Sequence, residues 1–356
     1  MAEMRTGPIG LEELALAARN HGMPLEALRY PVTPAGLHYL LIHYDIPPVD
    51  PGAWRLEIDG NVGTPLTLSL DDLIARPRVT VAVTLECAGN GRVLQSPRPV
   101  SQPWLLEAVG TAEWTGIPLQ QLLEDVGMLE GSVEVLFSGL DRGVEGGIEQ
   151  SYERSLPLAE AIKDDIVLAY EMNGQPLLPQ HGFPLRLIVP GWYGMTHVKW
   201  LHRIQVLTEP FEGYQHTNSY RFSVSEDDAG EPLSKIRPRS LMVPPGMPGF
   251  PVRTRHVPPG PTLVQGRAWS GLGSIERVEF SSDGGETWAD AELTPAPSAF
   301  AWCGWTFTWE AEPGEHELQC RATDASGSVQ PTEPEWNTGA YVNNAVQRVP
   351  VVVAEA

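Results

Sequence analysis

The most restrictive feature of this 356-residue chain is a stretch dense in proline. Nine of the chain's 34 prolines fall between Pro232 and Pro261. Proline lacks a backbone N–H and has a fixed φ, so most of this stretch can form neither a helix nor a central strand. A chain of this length is also longer than a single core usually supports. The sequence therefore predicts two domains that meet near Lys235.

The segment before Lys235 predicts short helices mixed with strands. The run Leu11–Asn20 indicates an amphipathic helix, Ser69 is placed to cap a second helix, and the helix IPLQQLLEDV should end at Gly127. The run VTVAVTLEC is apolar and rich in β-branched residues, which predicts a buried strand that ends at Cys87. Two further predicted strands, LRLIVP and VKWLHRIQVL, flank the glycine-rich bend PGWYG.

After Lys235 the pattern is that of short strands joined by turns. In IERVEFSSDGGETWADAEL the tripeptide DGG joins two alternating runs, which is typical of a β-hairpin. The length and turn spacing predict a β-sandwich of immunoglobulin-like size. The predicted fold class is therefore α+β, with an N-terminal lead-in (1–33), a mixed α/β domain (34–234) and an immunoglobulin-like β-sandwich domain (235–356).

The chain carries a formal net charge of −21, which excludes some classes of partner. Such a field disfavours nucleic acid and anionic membrane surfaces. An enzyme for oxyanions would need a local cluster of arginine and lysine to reverse the field at its site. No apolar run approaches the ~20 residues that span a bilayer, and the N-terminus lacks an apolar signal core. We therefore expect a cytoplasmic protein, or a periplasmic one if an export signal has been removed.

The cysteine that most suggests chemistry is Cys87. Three cysteines cannot form an even set of disulfides, and the lack of a CxxC spacing argues against a zinc ribbon or an attached c-type haem. Cys87 is followed by Ala-Gly-Asn-Gly-Arg, so its thiol faces a loop whose glycines allow close backbone approach. A thiolate there suits a high-valent metal bound to sulfur. On residue type alone, a buried and inert cysteine is the alternative.

Several segments together resemble the sulfite oxidase family of molybdenum enzymes. TLECAGNGR resembles that family's cysteine loop, and three later segments resemble its cofactor-binding segments in the same chain order. The sequence from Ala268 to Trp288 resembles the family's carboxy-terminal dimerisation domain. The three cofactor segments are FSGLD (Phe137–Asp141), LAYEMNGQPL (Leu168–Leu177) and HGFPLRLIVPGWYGMTHVKWL (His181–Leu201).

The resemblance implies a molybdenum centre with a molybdopterin cofactor (Mo-co) on the α/β domain. It makes Cys87 the metal ligand. On the substrate side, Arg92 corresponds to an arginine of the family's anion pocket and Tyr220 to an active-site tyrosine. Contacts to the pterin and its phosphate are implied for Asp141, His181, Arg186, His197, Val198 and Lys199.

Two departures from the family pattern remove positive charge. His43 stands where the family has a pocket arginine, and an imidazole is only partly charged at neutral pH. Gly339, in WNTGAYVNN, lies at or beside the position of another arginine. A charge-assisted hydrogen bond contributes about 1.5–3 kcal/mol, so losing two would weaken sulfite binding by several orders of magnitude. The predicted catalytic set is Cys87, Arg92, Tyr220 and His43.

The resemblance implies oxygen-atom transfer on a small anionic or sulfur-containing substrate, by default the oxidation of sulfite to sulfate. The alternative is a molybdenum oxidoreductase or reductase acting on another small substrate such as a sulfoxide, which the missing arginines favour. A non-catalytic binding module is a third hypothesis, and the intact Cys87 argues against it. We expect electrons to pass to an external acceptor such as a cytochrome, and the chain to form a homodimer. The acceptor's identity, the direction of catalysis and any nucleotide on the pterin stay open.

Overall fold

The computed structural model describes residues 4–225 and 227–355. Before Lys235 the described helices are short, the longest having eight residues. They are α1 (Leu11–Ala17), α2 (Leu70–Ile74), α3 (Leu119–Val126), α4 (Leu158–Ala161) and α5 (Tyr214–Thr217). The strands of this part are β1 (Met4–Arg5), β2 (Leu56–Gly60), β3 (Leu66–Leu68), β4 (Val79–Glu86), β5 (Arg98–Pro99), β6 (Val109–Pro118), β7 (Glu134–Glu145), β8 (Ile148–Pro157), β9 (Val167–Met172), β10 (Gln175–Pro176), β11 (Arg186–Ile188), β12 (Leu201–Leu207), β13 (Arg221–Phe222) and β14 (Glu231–Pro232).

Two five-stranded sheets organise this α/β part. One has the order β10-β9-β6-β4, with β11 also paired to β9, and the other has the order β3-β2-β12-β7-β8. In the second sheet β12 runs parallel to β2 and antiparallel to β7. The sheets share one apolar core, which includes Leu56, Ile117, Phe137, Leu187 and Ile204. The site described below lies where strands of both sheets end.

Local sequence signals account for several element boundaries. Ser69 caps α2 through a side-chain hydrogen bond, and Gly127 ends α3 with a φ of 61°, as both were predicted to do. The prediction for β12 was wrong at its start, because the strand begins at Leu201 rather than at Val198. Trp200 has a φ of 50°, and a strand cannot continue through that left-handed conformation.

The segment after Lys235 forms a β-sandwich, as predicted. One of its two sheets has four strands and the other has six. Val264, Val278, Trp305 and Leu318 are among the residues that fill the space between them. The strands are β15 (Arg239–Met242), β16 (Met247–Pro248), β17 (Arg255–Val257), β18 (Gly260–Trp269), β19 (Ile275–Ser281), β20 (Ala289–Asp290), β21 (Glu292–Thr294), β22 (Cys303–Ala311), β23 (Gly314–Asp324) and β24 (Gln347–Val353). The order of strands is β15-β18-β22-β21 in the four-stranded sheet and β16-β17-β24-β23-β19-β20 in the six-stranded sheet.

The sandwich packs tightly against the α/β part beside Cys87. A shared apolar cluster joins Ala88 and Tyr193 to Trp269 and Trp302 of the sandwich. The preceding residue, Glu86, is buried and accepts hydrogen bonds from Arg239 Nη1 at 2.6 Å and from the Trp269 indole at 2.8 Å. The end of β4 is therefore fixed from both domains.

No helix in the described ranges is long and apolar enough to cross a membrane.

Candidate active site

Two adjoining cavities lie at the end of β4. Eight of the ten predicted site residues line the first cavity, and Arg92 lines the second. Leu41, His43, Cys87 and Tyr220 border both, so the two form one continuous site. The eight residues of the first cavity are His43, Cys87, Asp141, His181, Arg186, His197, Lys199 and Tyr220.

Cys87 is held rigidly at the junction of the two cavities. Its backbone N–H donates to the carbonyl of Ala108, and its own carbonyl accepts from the N–H of Asn90, both at 2.9 Å. Burial raises the pKa of the Cys87 thiol, and the nearby Arg92 opposes that shift in part. A free thiol here would stay protonated at neutral pH, whereas coordination to a metal ion would remove the proton.

The first cavity holds two buried basic side chains, and one of them, Arg186, lacks an acidic partner among the described residues. Arg186 donates from Nη1 to the carbonyl of His181 at 3.0 Å and lies 4.6 Å above the Trp114 ring, while its Nε has no hydrogen-bond partner there. Burial lowers the pKa of Arg186 only to about 10, so it remains charged at neutral pH. Lys199 Nζ donates to the carbonyl of Leu41 at 2.7 Å, and burial lowers the pKa of Lys199 to about 7. A buried cation without a counter-ion is costly, so Arg186 with Lys199 in the same cavity fits an anionic group such as a phosphate.

Asp141 supplies the opposite charge beside Lys199. The pairing of β7 with β8 is interrupted between Ser138 and Arg142, and this irregularity directs Asp141 into the cavity. Within the described ranges, its Oδ1 is buried without a hydrogen-bond donor. Burial raises the pKa of Asp141, and Lys199 acts against that shift. An acceptor without a donor suits a heterocycle that presents N–H groups.

Two of the predicted cofactor contacts, His197 and Val198, have partners within the protein. His197 accepts from the N–H of Val189 at Nδ1 (3.1 Å), and its Nε2 lies 3.0 Å from the carbonyl of Trp192. Both ring nitrogens of His197 are thus bonded to backbone groups in this structure, although its side chain lines the first cavity. Val198 lies in the apolar core of the α/β part and lines neither cavity. The contacts of these two residues to the pterin stay predictions. The bonds of His197 shape the bend PGWYG.

Arg92 lies folded under the cysteine loop in the second cavity. It donates from Nε to the carbonyl of Gly339 at 3.2 Å and from Nη1 to Ser101 Oγ at 3.0 Å. A Cβ on Gly89 would lie only 2.8 Å from its guanidinium carbon, so a larger residue there would displace the guanidinium. Gly339, where the family comparison suggested a missing arginine, contributes a carbonyl to the site. The ring of Tyr341 covers the guanidinium at 5.0 Å.

Tyr220 lines both cavities in a strained backbone conformation. Its φ is 55°, a left-handed value that a tyrosine adopts only when its surroundings enforce it. The Tyr341 ring lies 5.4 Å from it, and the Arg154 guanidinium lies 5.6 Å above it. Burial keeps the pKa of Tyr220 well above its ordinary value, so the hydroxyl is a hydrogen-bond donor at neutral pH.

His43, which the sequence placed in the predicted catalytic set, has a carboxylate partner in the structure. It lines both cavities, but its Nε2 lies 3.1 Å from Oε2 of Glu145 and forms an ion pair when protonated. The same carboxylate oxygen accepts from Tyr44 at 3.3 Å and from Gln215 at 2.8 Å. One of the two ring nitrogens of His43 is therefore already paired with an anion of the protein.

The sequence-based interpretation missed several residues of the site. The Gly-Gly pair after Glu145, between two strand-like runs, is a hairpin signal that could have placed Glu145 at a turn. No local signal identifies Arg154, which is 3% exposed and forms no ion pair within residues 4–225 and 227–355. The missed residues are His38, Tyr39, Glu145, Tyr152, Arg154 and Tyr341.

Comparison with known proteins gives the family. Residues 43–215 match the family model described as the oxidoreductase molybdopterin binding domain, and residues 245–354 match the Mo-co oxidoreductase dimerisation domain. Sulfite oxidase of Gallus gallus is 38% identical over 339 residues, which cover 89% of this chain and 72% of that protein. The chain belongs to the sulfite oxidase family. Mitochondrial sulfite oxidase of Homo sapiens is 37% identical over 348 residues, covering 91% of this chain and 62% of that protein.

A solved structure agrees with this placement. The crystal structure of the sulfane dehydrogenase SoxCD from Paracoccus pantotrophus matches with a TM-score of 0.82 and 29% identity, covering 94% of this chain and 86% of that chain. The predicted fold class and cofactor class are thus confirmed: this is a molybdopterin-dependent oxidoreductase of the sulfite oxidase family. The cavity residues fit the cofactor, because unpaired Arg186 and Asp141 atoms offer a donor and an acceptor beside the Cys87 thiol.

The site's buried histidines make the fold sensitive to acid. Burial lowers the pKa of His38 to about 4 and of His197 to about 3, and it also lowers that of His181, all from 6.5. Below pH 6.5 the unfolded chain therefore binds more protons than the folded one, so acidification favours unfolding. Each such histidine should remove about 1.4 kcal/mol of stability per pH unit between its unfolded and folded pKa values.

Urea unfolding at about pH 7.5 and about pH 5.5 measures this loss of stability. A His38→Gln variant should lose less stability on acidification, whereas substitution of the exposed His256 by glutamine should leave the pH dependence unchanged. A wild-type free energy of unfolding that stays constant over this range would contradict the assignment of these histidines as buried and neutral.

Proposed function

We propose that the protein transfers an oxygen atom to a small sulfur compound, with the oxidation of sulfite to sulfate as the reference reaction. One observation carries the proposal: Cys87 stands between a cavity with the unpaired Arg186 and a cavity with Arg92 and Tyr220. This arrangement separates a cofactor side from a substrate side. When bound, the molybdenum cofactor supplies two-electron oxygen-atom transfer chemistry.

Each side chain has a defined task in this proposal. Cys87 would ligate the metal, Arg186 and Lys199 would bind the cofactor phosphate, and Asp141 would accept from the pterin. Arg92 orients an oxyanion, and the protonated Tyr220 hydroxyl donates a hydrogen bond to it. For sulfite, the product gains one oxygen derived from water, and two protons and two electrons are released. The electrons pass to an external acceptor such as a cytochrome.

The test is sulfite-dependent reduction of ferricyanide or cytochrome c by the cofactor-loaded protein. Arg92→Ala should raise KM for sulfite far more than it changes pterin content, because Arg92 lies on the substrate side. A loaded enzyme that oxidises no sulfur compound with either acceptor would contradict the proposal. Equal losses of pterin and of activity in Arg92→Ala would instead place Arg92 on the cofactor side.

A second reaction is favoured by the carboxylate beside His43. Glu145 lowers the positive charge of the second cavity, which suits a neutral substrate such as a sulfoxide. The same cofactor chemistry then runs in reverse, with a sulfoxide giving up its oxygen and an external donor supplying two electrons and two protons. Consumption of reduced viologen with dimethyl sulfoxide, at a rate above that of sulfite oxidation, would favour this direction.

We further expect the protein to be a homodimer. The supporting observation is that residues 245–354, which match the dimerisation domain model, contain every strand of the β-sandwich except β15. Light scattering at micromolar concentration should give twice the chain mass of 38.9 kDa. A mass of one chain that persists as the concentration is raised would contradict this expectation.

A further inference from the structure

Glu145 places a carboxylate in the cavity that holds Arg92. The second cavity is lined by Glu145, His43, Arg92, Tyr220 and other residues, and the Glu145 side chain is 34% exposed. The Glu145 side chain therefore contacts both the cavity and the solvent. A negative charge at this place is unexpected in a site for an anion, because it opposes the one arginine that lines the cavity.

The backbone fixes the position of Glu145. It is the last residue of β7 and pairs with Ile148, the first residue of β8. Gly146 and Gly147 between them have φ values of 61° and 80°, which define a tight two-residue hairpin turn. A Cβ on Gly146 would lie 2.7 Å from the Tyr214 hydroxyl, so the hairpin tip packs closely against α5. Glu145 is thus held by a rigid turn rather than by a mobile loop.

The two oxygens of Glu145 have different surroundings. Oε2 accepts hydrogen bonds from Tyr44 and Gln215 and is paired with His43 Nε2. Oε1 has no hydrogen-bond partner within the described ranges, so it is free to accept one from a ligand. Burial alone would raise the pKa of Glu145, but the bonds to His43, Gln215 and Tyr44 outweigh it and lower the pKa below the ordinary value. The carboxylate is therefore charged at neutral pH.

The charges of the second cavity nearly cancel. Arg92 contributes one positive charge, Glu145 contributes one negative charge, and the Nε2 of His43 is occupied by Glu145. A dianion such as sulfite is attracted by Arg92 and repelled by Glu145. A ligand with a donor group can bind Oε1, and a ligand with less charge avoids the repulsion.

We propose that Glu145 is a specificity-determining residue that selects sulfur compounds with at most one negative charge over the sulfite dianion. The proposal deepens the proposed function and rests on it for the identity of the reaction. It extends to His43, whose Nε2 is paired with Glu145 and is therefore not available to a substrate anion. Removing the Glu145 charge should therefore both weaken the repulsion of dianions and release His43.

Sulfate binding to the resting, cofactor-loaded protein tests the charge effect without turnover. In Glu145→Gln, the Kd for sulfate measured by calorimetry should fall at least tenfold, which is about 1.4 kcal/mol. Glu149→Gln is the matched control, because Glu149 is an exposed carboxylate of β8 that pairs with Arg142 and lines neither cavity. Glu149→Gln changes the net charge of the protein by the same amount as Glu145→Gln. An equal change in both variants would overturn the proposal, since only the overall field would then be involved.

A double-mutant cycle tests the pairing with His43. His43→Arg alone should tighten sulfate binding little, because its guanidinium would pair with Glu145. In the Glu145→Gln background, the same substitution should tighten binding by at least a further tenfold. Additive effects of the two substitutions would show that His43 acts independently of Glu145 and would overturn this part.

The kinetic measurement compares sulfite with dimethyl sulfide, a neutral sulfur compound. Glu145→Gln should raise kcat/KM for sulfite at least tenfold relative to kcat/KM for dimethyl sulfide, and Glu149→Gln should leave the ratio unchanged. An unchanged ratio in Glu145→Gln overturns the selectivity role. If the wild-type enzyme oxidises no sulfur compound, the proposed function fails, while the sulfate Kd still decides whether Glu145 controls anion binding.

Discussion

Replacing Cys87 with serine is expected to abolish turnover while leaving the fold intact. A serine hydroxyl is harder and far less acidic than a thiol, so it is a poor ligand for a metal bound to sulfur. The side chain is 7% exposed, and a hydroxyl is nearly isosteric with a thiol, so packing around it changes little. We expect a loss of activity of at least a thousandfold together with a changed visible absorption spectrum of the metal centre.

Cys303→Ser is the matched control for this substitution. Cys303 is also a free, buried cysteine, at 8% exposure, but it lies in β22 of the sandwich and lines neither cavity. It should keep both the spectrum and the activity of the wild type. Full activity in Cys87→Ser, or an equal loss in both variants, would refute the assignment of Cys87 as the ligand.

Arg186→Met is expected to cause the second large effect, a loss of bound cofactor. Arg186 is a buried cation without an acidic partner among the described residues, and its free Nε requires an acceptor. If that acceptor is the cofactor phosphate, its removal costs about 1.5–3 kcal/mol per charge-assisted bond, or roughly a ten- to hundredfold loss of affinity. The cofactor-free protein should be no less stable than wild type, because an uncompensated buried charge has been removed.

Arg255→Met separates cofactor binding from stability. Arg255 is similarly buried, but it donates to the carbonyls of Pro244, Pro245 and Gly246 within the sandwich. This variant should lower the free energy of unfolding and retain wild-type pterin content per folded molecule. Pterin content and urea unfolding of both variants provide the test. Normal pterin content in Arg186→Met would show that Arg186 does not hold the cofactor.

Features that depend on neighbouring residues were predictable from the sequence. The strand that ends at Glu86, one residue before Cys87, follows from an apolar, β-branched run, and the helix ends at Ser69 and Gly127 follow from capping chemistry. The β-sandwich follows from turn spacing. The family resemblance predicted that Cys87 and Arg186 belong to one site, although they lie far apart in the chain. Both line the first cavity.

Features that depend on the register of distant segments were not predictable. His43 and Glu145 are 102 residues apart, and their contact follows from the length of β7 and the turn that ends it. The sequence-based interpretation therefore placed His43 in the catalytic set without its Glu145 partner. The sequence predicted the glycine-rich bend PGWYG, but it did not show that backbone groups of this segment bond both ring nitrogens of His197.

The buried contact between Glu86 and Arg239 limits how the chain can be divided. A fragment that ends before Lys235 would leave the Glu86 carboxylate next to Cys87 without its guanidinium and without the indole of Trp269. Ala88 would also lose the N–H of Val342, which donates to its carbonyl at 2.7 Å. A chimaera that takes its sandwich from a relative must supply partners for both residues. In protein engineering the two domains are therefore a single exchangeable unit, not interchangeable modules.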